Sequence, residues 1–183
     1  SASILEYGFM PAVNLTAGVE ATAIASRSAD TAKRTAEKYG IEKSYGDYDS
    51  MLNDPDIDCV YVPLPNSMHI EWARKSLEAG KHVLCEKPLA TSLADATEMV
   101  RASAAAGVTF GTNHHLRNAG AHLAIRELIA TGRIGRVLSA RVFHAVSLPE
   151  QLRGWRINDA SAGGGVIPDI TVHDADTVRF LLG

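Results

Sequence analysis

Apolar and polar positions along the chain follow two alternating periods. "GVEATAIASR" (18–27), "KHVLCEKP" (81–88) and "VTFGTNHH" (108–115) read as strands, and "IDCVYVPLP" (57–65) is a near-continuous apolar run. A run of that kind reads as a strand covered on both faces. Between them, "SADTAKRTAEKYG" (28–40) has the helical period, with Ser28 placed to cap it, Ala32, Ala36 and Tyr39 on one face and Gly40 to end it. "NSMHIEWARKSLEAG" (66–80) puts Ile70, Ala73 and Leu77 on one stripe. In "TSLADATEMVRASAAAG" (91–107), Ser92 and Asp95 are spaced as a capping box, and Leu93, Ala96 and Val100 are expected to face inward.

Strands alternating with helices over short loops predict an α/β fold, a Rossmann-type doubly wound parallel sheet. The pattern changes near residue 118. "AGAHLAIRELIATG" (119–132) predicts a helix closed by Gly132, and "RVLSARVFHAVSL" (136–148) one long strand. A glycine-rich loop then feeds a final helix in "VIPDITVHDADTVRFLLG" (166–183). Residues 1–117 therefore read as a dinucleotide-binding domain and 118–183 as the beginning of a second α/β domain. The opening "SASILEYGFMPAV" resembles a phosphate loop and its helix without the strand that precedes them in such folds. The sequence is thus expected to be a fragment whose first, central strand is missing and whose second domain is truncated, and the 183 residues alone are expected to be inactive.

Composition narrows the function. The chain is 46% hydrophobic and 21% charged with a formal net charge of -3, which gives no reason to expect nucleic acid or a membrane as partner. Cys59 and Cys85 lie in apolar runs without metal or disulfide spacing, so both are expected to be buried free thiols in a reducing compartment, the cytoplasm. One stretch breaks its strand abruptly: "HVLCEKPLA" ends on Glu86, Lys87 and Pro88. A proline there fixes its own φ and aims the lysine at the rim of the sheet, where ligands of parallel sheets bind. The plain alternative is a solvated lysine. Asp169, His173 and Asp176 follow at i, i+4 and i+7, one helix face. No second ligand cluster accompanies them, so no metal is expected.

Together "YVPLPNSMH", "GKHVLCEKPLA" and "GGGVIPDITVHDADTVRFLLG" resemble the Gfo/Idh/MocA family of NAD(P)-dependent sugar oxidoreductases. The resemblance implies an N-terminal Rossmann domain and a C-terminal α/β domain whose sheet forms dimer contacts, hence a homo-oligomer of the full-length protein. It implies that backbone from Ala2, Ser3, Ile4 and Leu5 meets the cofactor pyrophosphate, although Ala2 replaces a glycine and Leu5 a small residue. Ser26 and Arg27 stand where an NAD enzyme places an acid against the ribose. A hydroxyl and a guanidinium suit a 2′-phosphate, so NADPH is expected over NAD(H).

By the same resemblance Leu64, Pro65, Asn66 and His69 pass along the cofactor, the last two supplying hydrogen bonds, with Glu86, Lys87, Asn113, Trp155 and Arg156 also around it. Lys87 would polarise a ketone oxygen, His173 would donate a proton or meet the carbonyl, and Asp169 would hold substrate hydroxyls or orient His173. Gly163, Gly164 and Gly165 would let backbone approach the sugar. His114 and His115 receive no role. The implied reaction is NADPH-dependent reduction of a small cyclic keto-sugar, 1,5-anhydro-D-fructose to 1,5-anhydro-D-mannitol. Two alternatives are an NAD(P)-dependent sugar or inositol dehydrogenase of the same family and a non-catalytic nucleotide- or sugar-binding relative.

Overall fold

The computed structural model describes residues 4–183. Ala2 and Ser3, two of the expected pyrophosphate contacts, lie outside the described residues. A π-helical turn, Leu5–Phe9, runs into α1, Met10–Leu15. There follow β1 (Ala23–Ala25), α2 (Ala29–Tyr39), β2 (Lys43–Tyr45), α3 (Tyr48–Leu52), β3 (Cys59–Val62), α4 (His69–Glu78), β4 (His82–Glu86), α5 (Leu93–Ala106) and β5 (Phe110–Asn113). Beyond β5 come α6 (Gly120–Ala130), α7 (Glu150–Asn158) and α8 (Val172–Leu182). All strand pairings are parallel. Helices between parallel strands make this the expected Rossmann-like α/β fold. Among the described residues, no helix is long and apolar enough to cross a membrane.

The caps explain the helix limits. Ser28 accepts a hydrogen bond from Thr31 N at 3.3 Å, and Gly40 ends α2 at φ 68°. Ser92 does the same for Asp95 N at 3.1 Å. Only glycine adopts the left-handed C-cap without a steric penalty.

The sheet is in two parts, β1–β2 and β3–β4–β5. Between β1 and β3 lies an apolar groove of about 640 Å³, lined by Ala23, Ile24, Val60, Tyr61 and Val62 and reached by Leu5 of the opening turn. The larger core lies on the other side, where Val60, Val62, Val83 and Cys85 of the strands meet Ala73 and Leu77 of α4 and Met99 of α5.

Four expectations are corrected. Leu93 and Val100 do not face inward: they are 84% and 60% exposed, while Met99 is fully buried. The inner face of α5 is turned about one residue from the stripe read in the sequence, because apolar side chains occupy both faces and the bulkiest flexible one, Met99, fills the gap against α4. The strand expected over 136–148 is not formed: none of the described strands pairs with this segment. Cys59 is exposed at the groove edge, and only Cys85 is buried, where desolvation pushes its thiol up to about 12. Finally β2, α3 and α7 were not anticipated; the first two have three and five residues, too short to show a period.

Candidate active site

The carboxyl ends of the parallel strands form one rim. Ser26 and Arg27 follow β1, Leu64 to Asn66 follow β3, Lys87 follows β4, and Asn113 ends β5. Against this rim the second half brings α7 and the glycine loop. Together they enclose a cavity of about 240 Å³ whose lining includes Asn66, Lys87, His115, Trp155, Asp169 and His173. Ile4, Leu64, Glu86 and Arg156 also border it. Lys87 and His173, eighty-six positions apart, thus face one space.

Lys87 is half-buried, and its Nζ donates to the main-chain carbonyl of Asp169 at 3.0 Å. Asp169 lies in a π-helical turn, Ile167–Thr171, that leads into α8. Its Oδ2 accepts from Arg156 Nε at 3.1 Å, and the guanidinium of Arg156 lies over the Trp155 ring. His173, on the first turn of α8, is 8% exposed, and its Nδ1 is buried with no hydrogen-bond partner among the described residues. Its ring packs edge-on to His115, with centroids 5.2 Å apart. Burial, then the charge of Lys87, then the neighbouring histidines His115, His114 and His144, hold the His173 pKa down to about 4. At neutral pH this imidazole is therefore uncharged.

Glu86 is inside the fold. Its Oε1 accepts from Tyr61 Oη at 2.7 Å and from Asn113 Nδ2 at 2.6 Å, and its Oε2 accepts from Lys87 N at 3.2 Å. Asn113 and Glu86, both expected at the cofactor, are thus bonded to each other and brace the Lys87 turn. Burial and the Glu86 carboxylate raise the pKa of the Tyr61 hydroxyl.

His69 departs furthest from expectation. It is fully buried, with Nδ1 2.7 Å from the Pro88 carbonyl and Nε2 2.8 Å from the Leu64 carbonyl. Neither ring nitrogen is left for a bound molecule, so its expected cofactor hydrogen bond is not made. Asn66 is 4% exposed and uses Nδ2 to donate to Gly163 O at 2.9 Å, leaving a second amide N–H and its carbonyl oxygen for a ligand.

Packing within the protein accounts for two glycines of the loop. A Cβ on Gly163, at φ 76°, would sit 2.7 Å from Thr91 Cγ2, and one on Gly164 would sit 2.7 Å from the Arg156 carbonyl. The loop lets the second half close on the rim.

Sequence reading missed Arg117 and Tyr61. Arg117 grips Asp176 through Nε at 2.8 Å and through a second contact from its Nη2. Desolvation pushes the buried Asp176 carboxylate up, but Arg117 and then His114 outweigh it, and the net shift is downward. His114 Nδ1 lies 3.6 Å from Asp176 Oδ2. No signal in the sequence marks Arg117 apart from other arginines; Tyr61 stood out only as the one hydroxyl in an apolar strand.

Rim residues from four strands, a basic side chain at the β1 end and a polar-lined cavity under them fit a dinucleotide laid along the sheet edge. Ile4, Leu5, Ser26, Arg27, Leu64, Pro65 and Asn66 would border it. Among the described residues, no group of three or more His, Cys, Asp and Glu side chains is arranged to hold a metal.

This is the architecture of a Rossmann-type dinucleotide-binding protein. Residues 3–114 match the family model described as "Oxidoreductase family, NAD-binding Rossmann fold", and residues 122–183 match the Gfo/Idh/MocA C-terminal domain. The chain belongs to the Gfo/Idh/MocA family. It is 56% identical over 165 residues to a 1,5-anhydro-D-fructose reductase of Ensifer adhaerens, covering 90% of this chain and 50% of that protein. Among solved structures, it superposes on a 3-ketoreductase from Actinomadura kijaniata in complex with NADP and TDP-benzene, with a TM-score of 0.82 and 32% identity over 99% of this chain and 55% of that one. A levoglucosan dehydrogenase in complex with NADH and levoglucosan gives a TM-score of 0.80 and 31% identity over 98% of this chain and 50% of that one. The chain spans about half the length of the relatives it matches.

Proposed function

We propose that this protein is an NADPH-dependent reductase of a small cyclic keto-sugar, with 1,5-anhydro-D-fructose, reduced to 1,5-anhydro-D-mannitol, as substrate. The observation that carries the reading is the shared cavity: Lys87 from the sheet rim and His173 from α8 face the same 240 Å³ space. The likeness to the Ensifer adhaerens reductase supports the substrate. Ser26 and the exposed Arg27 at the β1 end support NADPH, since a guanidinium pairs with a 2′-phosphate that an acid would repel.

A reduced nicotinamide held along the rim by Leu64, Pro65 and Asn66 would supply hydride to the carbonyl carbon. As the ketone oxygen takes on negative charge, the Lys87 ammonium hydrogen-bonds it and then transfers a proton to it. His173, held uncharged, meets the same oxygen as a hydrogen-bond donor through Nε2 rather than as the proton source. Asp169 and Arg156 form the polar wall against which the sugar hydroxyls lie, and Trp155 closes the rim. Solvent returns the proton to Lys87 after product leaves.

The same groups run in reverse oxidise a sugar hydroxyl with NAD(P)+, and the similarity to a levoglucosan dehydrogenase favours this as the second reading. Free Cys59 and Cys85 support a cytoplasmic location, where thiols stay reduced. It is proposed to self-associate through its second domain, where Leu138 and Phe143 are 80% and 83% exposed.

The test is absorbance of NADPH in the presence of the full-length protein and 1,5-anhydro-D-fructose, other ketoses, or polyols with NADP+. Consumption of NADPH with the anhydro-ketose supports the reading. Tight NADPH binding with no turnover of any ketose or polyol would replace it with a non-catalytic sensor.

A further inference from the structure

His69 is a buried ionisable group that the chemistry above does not use. It is the first residue of α4 and is 0% exposed, with both ring nitrogens against main-chain carbonyls, Pro88 O at 2.7 Å and Leu64 O at 2.8 Å. The two carbonyls belong to the two loops that border the cavity from the sheet. Leu64 lies two residues beyond β3, and Pro88 follows Lys87 at the end of β4. The β3–β4 ladder ends at the pair Val62 and Cys85. Where main-chain pairing between these strands stops, the imidazole ring takes over as their cross-link.

The ring is rigid, so it sets the separation of the two loops. A neutral imidazole carries one N–H and can donate to one carbonyl; donation to both requires the ring to hold a second proton. Burial opposes that charge, while the two carbonyls and the Glu86 carboxylate favour it and Lys87 opposes it. The doubly protonated ring hydrogen-bonds both loops; the neutral ring bonds one carbonyl and packs against the other, and in both cases it is wedged between the loop that lines the pocket wall and the turn that aims Lys87.

We propose that His69 is a positioning residue: it holds the Leu64 loop and the Lys87–Pro88 turn in register, so that Lys87 Nζ reaches the cavity beside His173 without His69 touching cofactor or substrate. This rests on the oxidoreductase reading above. A displacement near 1 Å at a reacting group is enough to slow turnover strongly.

The test uses the full-length protein and the variant His69→Gln, which keeps one donor and one acceptor at the end of a flexible stem. The expected result is a kcat about 10- to 100-fold lower with a dinucleotide Kd changed by less than about threefold, read by nicotinamide fluorescence. His69→Asn, too short to span both carbonyls, is expected to lose more than His69→Gln. A dinucleotide Kd raised tenfold or more with kcat unchanged would make His69 a cofactor ligand and overturn the proposal.

A second measurement stands apart from turnover. NMR of histidine-labelled wild-type protein should show a His69 ring N–H protected from solvent exchange, and His69→Gln should shift the Pro88 carbonyl carbon. A freely exchanging ring, or an unmoved Pro88 signal, sinks the strap even in an active enzyme. If the wild type turns over no ketose or polyol, the functional reading fails, while the NMR result still decides the strap. Should His69→Gln not fold, His69→Asn and the wild-type ring signal carry the decision.

Discussion

Lys87 and Asp169 meet across the molecule: the lysine Nζ, at the end of β4, donates to the aspartate's main-chain carbonyl at 3.0 Å and lies 3.6 Å from its Oδ1. Both side chains are only 14% exposed, so the lysine is aimed by contacts on both halves rather than left to solvent. Arg156 takes the other carboxylate oxygen. Lys87→Met is expected to lower kcat by at least about 100-fold, the usual scale for losing a group that stabilises developing charge. Steady-state kinetics of the full-length protein, with fluorescence titration showing intact dinucleotide binding, check this. Unchanged kcat would remove Lys87 from the chemistry.

Arg27→Leu should discriminate between cofactors. Loss of charge-assisted bonds to a 2′-phosphate costs about 1.5–3 kcal/mol, or roughly 10- to 100-fold in NADPH affinity. NADH, which lacks that phosphate, should bind about as before. Equal weakening for both cofactors, measured by titration, would place Arg27 elsewhere.

Acid should destabilise the fold through His173. Its folded pKa of about 4 lies below the usual 6.5, so the folded state favours the neutral ring and the unfolded state takes up the proton first. The stabilisation is complete above pH 6.5 and is lost as pH falls towards 4, by up to about 3 kcal/mol for this group. His69 and His114, both shifted downward mainly by burial, act in the same direction. Urea midpoints measured from pH 7.5 to 4 should fall, and His173→Phe should flatten the slope. An identical slope in that variant would contradict the assignment.

The Arg117–Asp176 pair ties the end of the Rossmann half to the helix that carries His173. Arg117→Met leaves a 9% exposed carboxylate without its main partner, at a cost of about 1–3 kcal/mol. Asp176→Ala should cost less, because Arg117, 45% exposed, can turn to water. The double variant should then be more stable than the sum of the two singles implies, as denaturant titrations will show.

Gly163→Ala should destabilise by about 1–3 kcal/mol, since a positive φ and a 2.7 Å clash with Thr91 combine. A thermal melt matching wild type would mean that the loop yields freely.

The legible part of the fold was the part written by local rules. Ser28 with Gly40, and Ser92 with Gly107, mark helices because a cap depends on residues a few positions apart. The rim residues were legible for a similar reason: a parallel strand delivers whatever follows it to one edge. What could not be read was each side chain's partner. Asn113 and Glu86 lie where a cofactor ligand is expected, yet they hold each other. Gly164 has its glycine because of Arg156 backbone, eight positions earlier in the chain and invisible as a neighbour. The stretch 136–148 has strand composition without a strand, because pairing is decided by what lies alongside.

The groove between β1 and β3 has a practical consequence for anyone handling this polypeptide. Each flanking strand offers a row of main-chain donors and acceptors to an extended peptide, and the walls between them are greasy. Such open edges recruit other chains. A polypeptide with this groove open would therefore be expected to form concentration-dependent oligomers well before any question of catalysis arises.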